Sequence, residues 1–294
     1  MAMHPILDRR LLFVSGKGGV GKTVTAATVA LFAFRKRRRV LVVELSAYGR
    51  MRDLLGGPEP GAEPVEVMPR LEILRVDPRR ALEEFLDGLL RFRALRRRLL
   101  ASSSFSILTA AAPGIEEFLV LSKIAALERA KLGVRRRPRY DLIVVDAPAT
   151  GHSLPLLSTA RTLAEMVAMG PIAETAGEVA TLLADPRRSA ALIVTLAEEM
   201  AVNETIEIVA GLGESRSIAI GGVIVNAMWP DRFDVEERRW LSERSDDGAE
   251  PLIALGRYHV ERRRRAEQQL ERLRLALDVD PIVLPLLVGP ALDR

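Results

Sequence analysis

Cysteine is absent from the 294-residue chain. That excludes a disulfide, a thiolate metal site and a Cys-x-x-Cys zinc clasp. Aromatic residues make up only 4%, too few to interleave with the basic clusters at Arg35–Arg39, Arg96–Arg98, Arg135–Arg139 and Arg262–Arg265. Stacking on nucleic-acid bases is therefore poorly supported, and the clusters read as solvated helix faces and ends. Lysine is scarce as well, with five beside 38 arginines. No apolar run reaches the roughly 18–20 residues that span a membrane. The start of the chain, Met1 to Asp8, lacks the basic opening and apolar core of a signal peptide. A cytoplasmic location is the expectation.

What is present is the composition of a globular protein, 48% hydrophobic and 28% charged, with 43 basic residues against 39 acidic ones for a net charge of +4. The stretch that organises the chain is Leu11-Leu12-Phe13-Val14-Ser15-Gly16-Lys17-Gly18-Gly19-Val20-Gly21-Lys22-Thr23. An apolar run suited to a buried strand leads into Gly-x-x-x-x-Gly-Lys-Thr. A helix-compatible segment from Val24 follows. Strand, glycine loop and helix in that order are what a phosphate-binding loop requires. Glycines let successive N–H groups aim at a polyphosphate, and the helix start adds unpaired donors and its positive dipole end. Gly16, Lys17, Gly18, Gly19, Val20, Gly21, Lys22, Thr23 and Val24 are thus the expected nucleotide-binding residues. Lys22 would reach the β- and γ-phosphates, and the Thr23 hydroxyl would hold Mg²⁺.

Further along, Val40 to Leu45 suits a buried parallel strand. Residues 56–70, rich in Gly, Pro and Glu, read as an exposed connection. Leu71 to Asp77 alternates well enough for a strand, expected at an edge. From Pro78 to Leu132 the pattern is helical. Tyr140-Asp141-Leu142-Ile143-Val144-Val145-Asp146 is the clearest strand in the chain. An apolar run ending in Asp146 is what the second metal-site element of a phosphate-loop enzyme looks like. Alternating strands and helices follow, including Ala190–Thr195 and Ser217–Asn226 as strands and 260–277 as a helix. The expected fold is α/β, a doubly wound, mostly parallel sheet. It forms a single domain over 1–294 with a helical insertion at about 78–132 and 153–184.

These pieces resemble a known family. The loop Gly16-Lys17-Gly18-Gly19-Val20-Gly21-Lys22-Thr23 resembles the deviant phosphate loop of a group of dimeric ATPases. Asp146-Ala147-Pro148-Ala149-Thr150-Gly151-His152 is similar to the second switch of its ArsA/Get branch, the arsenite-pump and tail-anchored-protein targeting ATPases. Ala112–Glu117, Val194–Thr205 and Ile224-Val225-Asn226 match further elements of that branch in order. The resemblance implies that Lys17 crosses a dimer interface to the partner's nucleotide, making Lys17, Lys22 and Asp146 catalytic. It also implies that Asn226 reads adenine, and that Ser46, Pro148, Gly151 and His152 lie in switch segments. For Asn226 a plain strand-end cap is the alternative, and for His152 a loop histidine satisfied by backbone.

The chain departs from the branch in its first switch, in its missing Cys-x-x-Cys and in its helical insert, which is short and has few methionines. Where the family's first switch carries an Asp that orients the attacking water, the aligned residue here is Ser46, a poor base at its normal pKa. Glu44 and Asp53 are nearby carboxylates that could compensate, though neither matches the family position. The missing Cys-x-x-Cys excludes the zinc-clasped homodimer. The expectation is an ATP- and Mg²⁺-dependent dimeric ATPase with weak or partner-dependent hydrolysis. It would be a homodimer or a heterodimer with a paralogous ATPase, with a client protein on the helical insertion. The alternatives are a non-hydrolysing ATP-binding scaffold subunit, and a partitioning ATPase associated with membrane or DNA, both surfaces being less suited to this second switch.

Overall fold

The computed structural model describes residues 5–45, 49–89, 114–133, 136–148, 150–167, 169–243 and 251–287. Its strands are β1 (Leu11–Ser15), β2 (Val40–Glu44), β3 (Val65–Met68), β4 (Leu71–Arg75), β5 (Lys131–Leu132), β6 (Arg137–Pro138), β7 (Leu142–Asp146), β8 (Ser189–Leu196), β9 (Ile220–Met228) and β10 (Ile282–Pro285). The helices are α1 (Lys22–Arg35), α2 (Met51–Leu55), α3 (Pro78–Leu89), α4 (Ile115–Arg129), α5 (Thr150–Met166), α6 (Pro171–Ala184), α7 (Glu199–Ser215), α8 (Val235–Glu243) and α9 (Pro251–Leu277).

Eight strands form one sheet in the order β10-β9-β8-β1-β7-β2-β4-β3, and β5 with β6 makes a separate hairpin. Among the described strands of the large sheet only the β3–β4 pairing is antiparallel. Parallel neighbours need long crossovers, so helices must cover both faces and the strands must be apolar on both. β1 meets that demand, since all of its residues are buried. Its alternation divides the core. Leu12 and Val14 point to the face covered by α1 and α2, where Ala26, Ala27, Ala30 and Ala33 recur at helical spacing and Met51 and Leu55 join them. Leu11 and Phe13 point to the other face, against side chains of α4, α5, α6, α7 and α9. Full burial of side chains such as Leu12 and Phe13 contributes about 1.5–3 kcal/mol each. The doubly wound, mostly parallel sheet is as expected.

Two expectations need correction. The 71–77 strand, β4, lies inside the sheet, between β2 and β3. The true edge is β3, which falls within the 56–70 segment read as a connection. Of the segments expected as a helical insertion, 90–113 lies outside the described residues. Helices α4, α5 and α6 share their core with the sheet, through Phe118, Leu121, Leu157, Val179 and Leu183.

Candidate functional site

The loop after β1 is built by close approaches that only glycine permits. Gly16 has φ +146°, and a Cβ there would lie 2.0 Å from the carbonyl oxygen of Val194 on β8. Gly21, with φ +94°, precedes α1, and a Cβ there would lie 2.3 Å from Asn226 Nδ2. Left-handed backbone of this kind costs a non-glycine residue about 1–2 kcal/mol. That Asn226 amide donates to the Val20 carbonyl at 2.9 Å. The end of β9 is thereby fastened to the glycine loop, and Asn226 occupies the loop's flank.

At the first turn of α1, Thr23 Oγ1 donates to Asp146 Oδ2 at 2.7 Å. Asp146 ends β7, directly beside β1, and is 5% exposed. Its second oxygen, Oδ1, is buried and has no hydrogen-bond partner among the described residues. Burial pushes the Asp146 carboxyl up to about 6, with Glu44's charge adding to the rise while Thr23 and Lys22 oppose it. Lys22 Nζ donates to the Lys17 carbonyl at 2.9 Å. Burial lowers its pKa from the ordinary lysine value, against the pull of Asp146 and Glu204. Lys17 pairs with Glu204 of α7 at 3.2 Å, both side chains about one-third exposed.

The sheet therefore brings Gly16, Lys17, Gly19, Gly21, Lys22, Thr23, Asp146 and Asn226 to the carboxyl ends of β1, β7 and β9, where ligands of open α/β sheets bind. Gly18 and Val20 complete the same loop, Val20 being buried beneath it, and Val24 follows in α1. Pro148 comes two residues after Asp146. Gly151 and His152 fall in the first turn of α5. Ser46 lies outside the described residues.

Glu44 carries more of the site than sequence reasoning gave it. It ends β2 directly beside Asp146 in register and is fully buried. Met51 N–H donates to its Oε1 at 3.0 Å, and Arg75 Nε donates to its Oε2 at 3.1 Å. The backbone of Gly49 packs on the carboxylate so closely that a Cβ would lie 1.6 Å from Cδ. One oxygen of Glu44 thus holds the start of α2 and the other pairs with Arg75 at the end of β4, and Asp53 is exposed on α2. The signal was present in the sequence as one charge closing an otherwise apolar strand.

A glycine loop with a threonine bound to an acid on the adjacent strand is the arrangement of a phosphate-loop site. The family model for the anion-transporting ATPases matches residues 9–180. The chain belongs to that family, ArsA_ATPase. Its relatives include ATPase BagA of Mycobacterium tuberculosis, 30% identical over 233 residues, covering 78% of this chain and 68% of that protein. A putative arsenical pump-driving ATPase of Halobacterium salinarum is 28% identical over 242 residues, covering 78% of this chain and 37% of that protein. ATPase GET3 of Kluyveromyces lactis is 29% identical over 168 residues, covering 54% and 47% respectively. As an ArsA_ATPase member the chain is an ATP-binding ATPase. Among the described residues no helix is long and apolar enough to cross a membrane.

Proposed function

We propose that this ATPase is a dimeric switch driven by Mg·ATP, with hydrolysis that is slow alone and completed by a partner subunit. The observation that carries the reading is the Thr23–Asp146 hydrogen bond of 2.7 Å, with the other Asp146 oxygen buried and without a partner among the described residues. A hydroxyl and a carboxylate converging beside a glycine loop fit magnesium, a hard cation that takes oxygen ligands. Thr23 and Asp146 would hold that ion, whose charge would offset the charge developing on the phosphates.

The remaining roles belong to the chain's own groups. Lys22, already partly stripped of water, exchanges the Lys17 carbonyl for phosphate oxygens. Backbone N–H groups of the loop cradle the phosphates, and the Asn226 amide, which can both donate and accept, serves the adenine edge. Lys17 leaves Glu204 and reaches the partner's nucleotide. Phosphoryl transfer asks mainly for positioning and charge stabilisation, so Ser46 in place of an acid slows the reaction rather than forbidding it. Glu44 does not substitute as a base, because Met51 and Arg75 use both of its oxygens.

Support for a dimer comes from the nucleotide end of the molecule. Arg262 of α9 reaches toward Glu198 just after β8, which sets the α8–α9 pair at that end. Trp240, Leu252, Leu255 and Tyr258 are exposed on this pair, and Met200 is exposed at the start of α7. An apolar surface of this kind marks an interaction site. The partner is a second copy or a paralogous ATPase, the client binds the helical layer, and the setting is the cytoplasm.

Calorimetric titration of Mg·ATP into the purified chain tests the site, and phosphate release with and without a paralogue tests the partner. Binding by the wild type, lost in Lys22→Ala and weakened at least tenfold in Asp146→Asn, is the expected result. No heat with the wild type would overturn the reading.

A further inference from the structure

The opposite, amino end of the sheet holds a second charged cavity, of about 680 Å³. It is lined by Arg10, Arg129, Lys131, Arg136 and Arg188 around one acid, Glu128. Glu128, at 1% side-chain exposure, is closed off by two guanidiniums: Arg10 at 2.9 Å and Arg188 at 2.6 Å. Arg10 also donates to the Glu128 carbonyl at 2.6 Å. This arrangement has a structural purpose, because Arg10 enters β1, Arg188 enters β8, and Glu128 ends α4. A buried carboxylate needs such pairing.

That purpose accounts for two of the five cations. Arg129 turns to Glu178 on α6. Lys131 on β5 and Arg136 just before β6 have no ion pair among the described residues. With the two acids counted, the cavity keeps an excess of three positive charges. Like charges gathered in one concavity focus a positive potential and raise the local concentration of anions. Arg136 is solvent-exposed, as the sequence suggests for this basic run, and it also lines the cavity.

We propose that this cavity is a second anion site, binding a compact ligand with two or more phosphate charges. The lining selects for such a ligand. Guanidinium groups suit phosphate oxygens in paired hydrogen bonds. Among the described residues no aromatic side chain lines the cavity, so they offer nothing for a nucleobase to stack on. A diphosphate or a phosphorylated small molecule fits, and a nucleotide gains nothing from its base. The site is also separate from the glycine loop, since the five residues of β1 set them roughly 15–20 Å apart at about 3.3 Å per residue. The inference stands independently of the nucleotide reading.

Inorganic pyrophosphate is the probe, titrated calorimetrically into the full chain in excess ADP, with Lys22→Ala as the control for the loop. One pyrophosphate is expected to bind both the wild type and Lys22→Ala. In the double variant Lys131→Ala/Arg136→Ala the affinity should fall at least tenfold with an unchanged melting temperature, both residues being exposed. Raising the salt should weaken the binding, as screening of surface charge requires. Absence of heat in the wild type would overturn the proposal. So would binding that survives in the double variant, or binding that Lys22→Ala abolishes.

Discussion

Replacing Arg75 with alanine should destabilise the protein more than removing the charge it serves. Arg75 is 25% exposed on its side chain and Glu44 only 1%, so the substitution leaves a carboxylate in the core with one donor among the described residues, the Met51 N–H at 3.0 Å. Breaking a buried ion pair from one side costs about 3–5 kcal/mol. Water entering along the partly exposed path of Arg75 reduces that to about 2–3 kcal/mol. The second partner of Arg75, Glu59 at 3.1 Å, is more than half exposed and adds little. Glu44→Gln keeps the shape and an oxygen for Met51 and loses one charge-assisted hydrogen bond, about 1–2 kcal/mol. In the double variant Arg75→Ala/Glu44→Gln no charge is left in the core, so its cost should stay near 1–2 kcal/mol. The cycle then gives a coupling of about 2 kcal/mol, well above the scatter between independent sites. Thermal melting reads this out, Arg75→Ala lowering the midpoint by about 5 °C at roughly 2–4 °C per kcal/mol. Additive losses in the cycle would refute the pairing of Glu44 with Arg75.

Two further outcomes concern the loop and its acid. Gly16→Ala must displace backbone, the Val194 carbonyl at 2.0 Å, whereas Gly21→Ala meets a side-chain amide that can swing aside. Melting temperatures should therefore show a loss of about 3 kcal/mol for the first and about 1–2 kcal/mol for the second, with equal losses contradicting the geometry. Asp146→Asn should stabilise the protein in EDTA at pH 7.5 while weakening Mg·ATP binding. The folded Asp146 pKa of about 6 lies above its unfolded value, so the folded state holds the proton more tightly. Stability is then lost as pH rises from about 4 to about 6, and the loss is complete above that. Urea titrations should give Asp146→Asn an advantage of about 1–2 kcal/mol at pH 7.5 that vanishes near pH 4.

The loop and its partner acid were legible because their chemistry is local. Glycines at fixed spacing and an acid closing an apolar run signal themselves within a few residues. What eluded the sequence depends on partners far along the chain. Glu72 gives β4 the alternation of a half-exposed edge, yet its carboxylate accepts from the Tyr140 hydroxyl at 2.6 Å and from Arg139. Its charge is met by protein, so the strand sits inside the sheet. β3 has four residues in a stretch rich in glycine and proline, too short for a period to register. The link from Asn226 to Val20 spans 206 positions, and nothing in either neighbourhood announces it.

With a strand on each flank and every residue of β1 sealed from solvent, the phosphate cradle stands on an immovable footing. Gly16 is wedged against the next strand and has no room to yield. Displacement set off at the cradle has to be taken up at its margins, where the partly exposed pair of Lys17 and Glu204 has room to change. The cradle is a rigid palm, and any yielding falls to its rim.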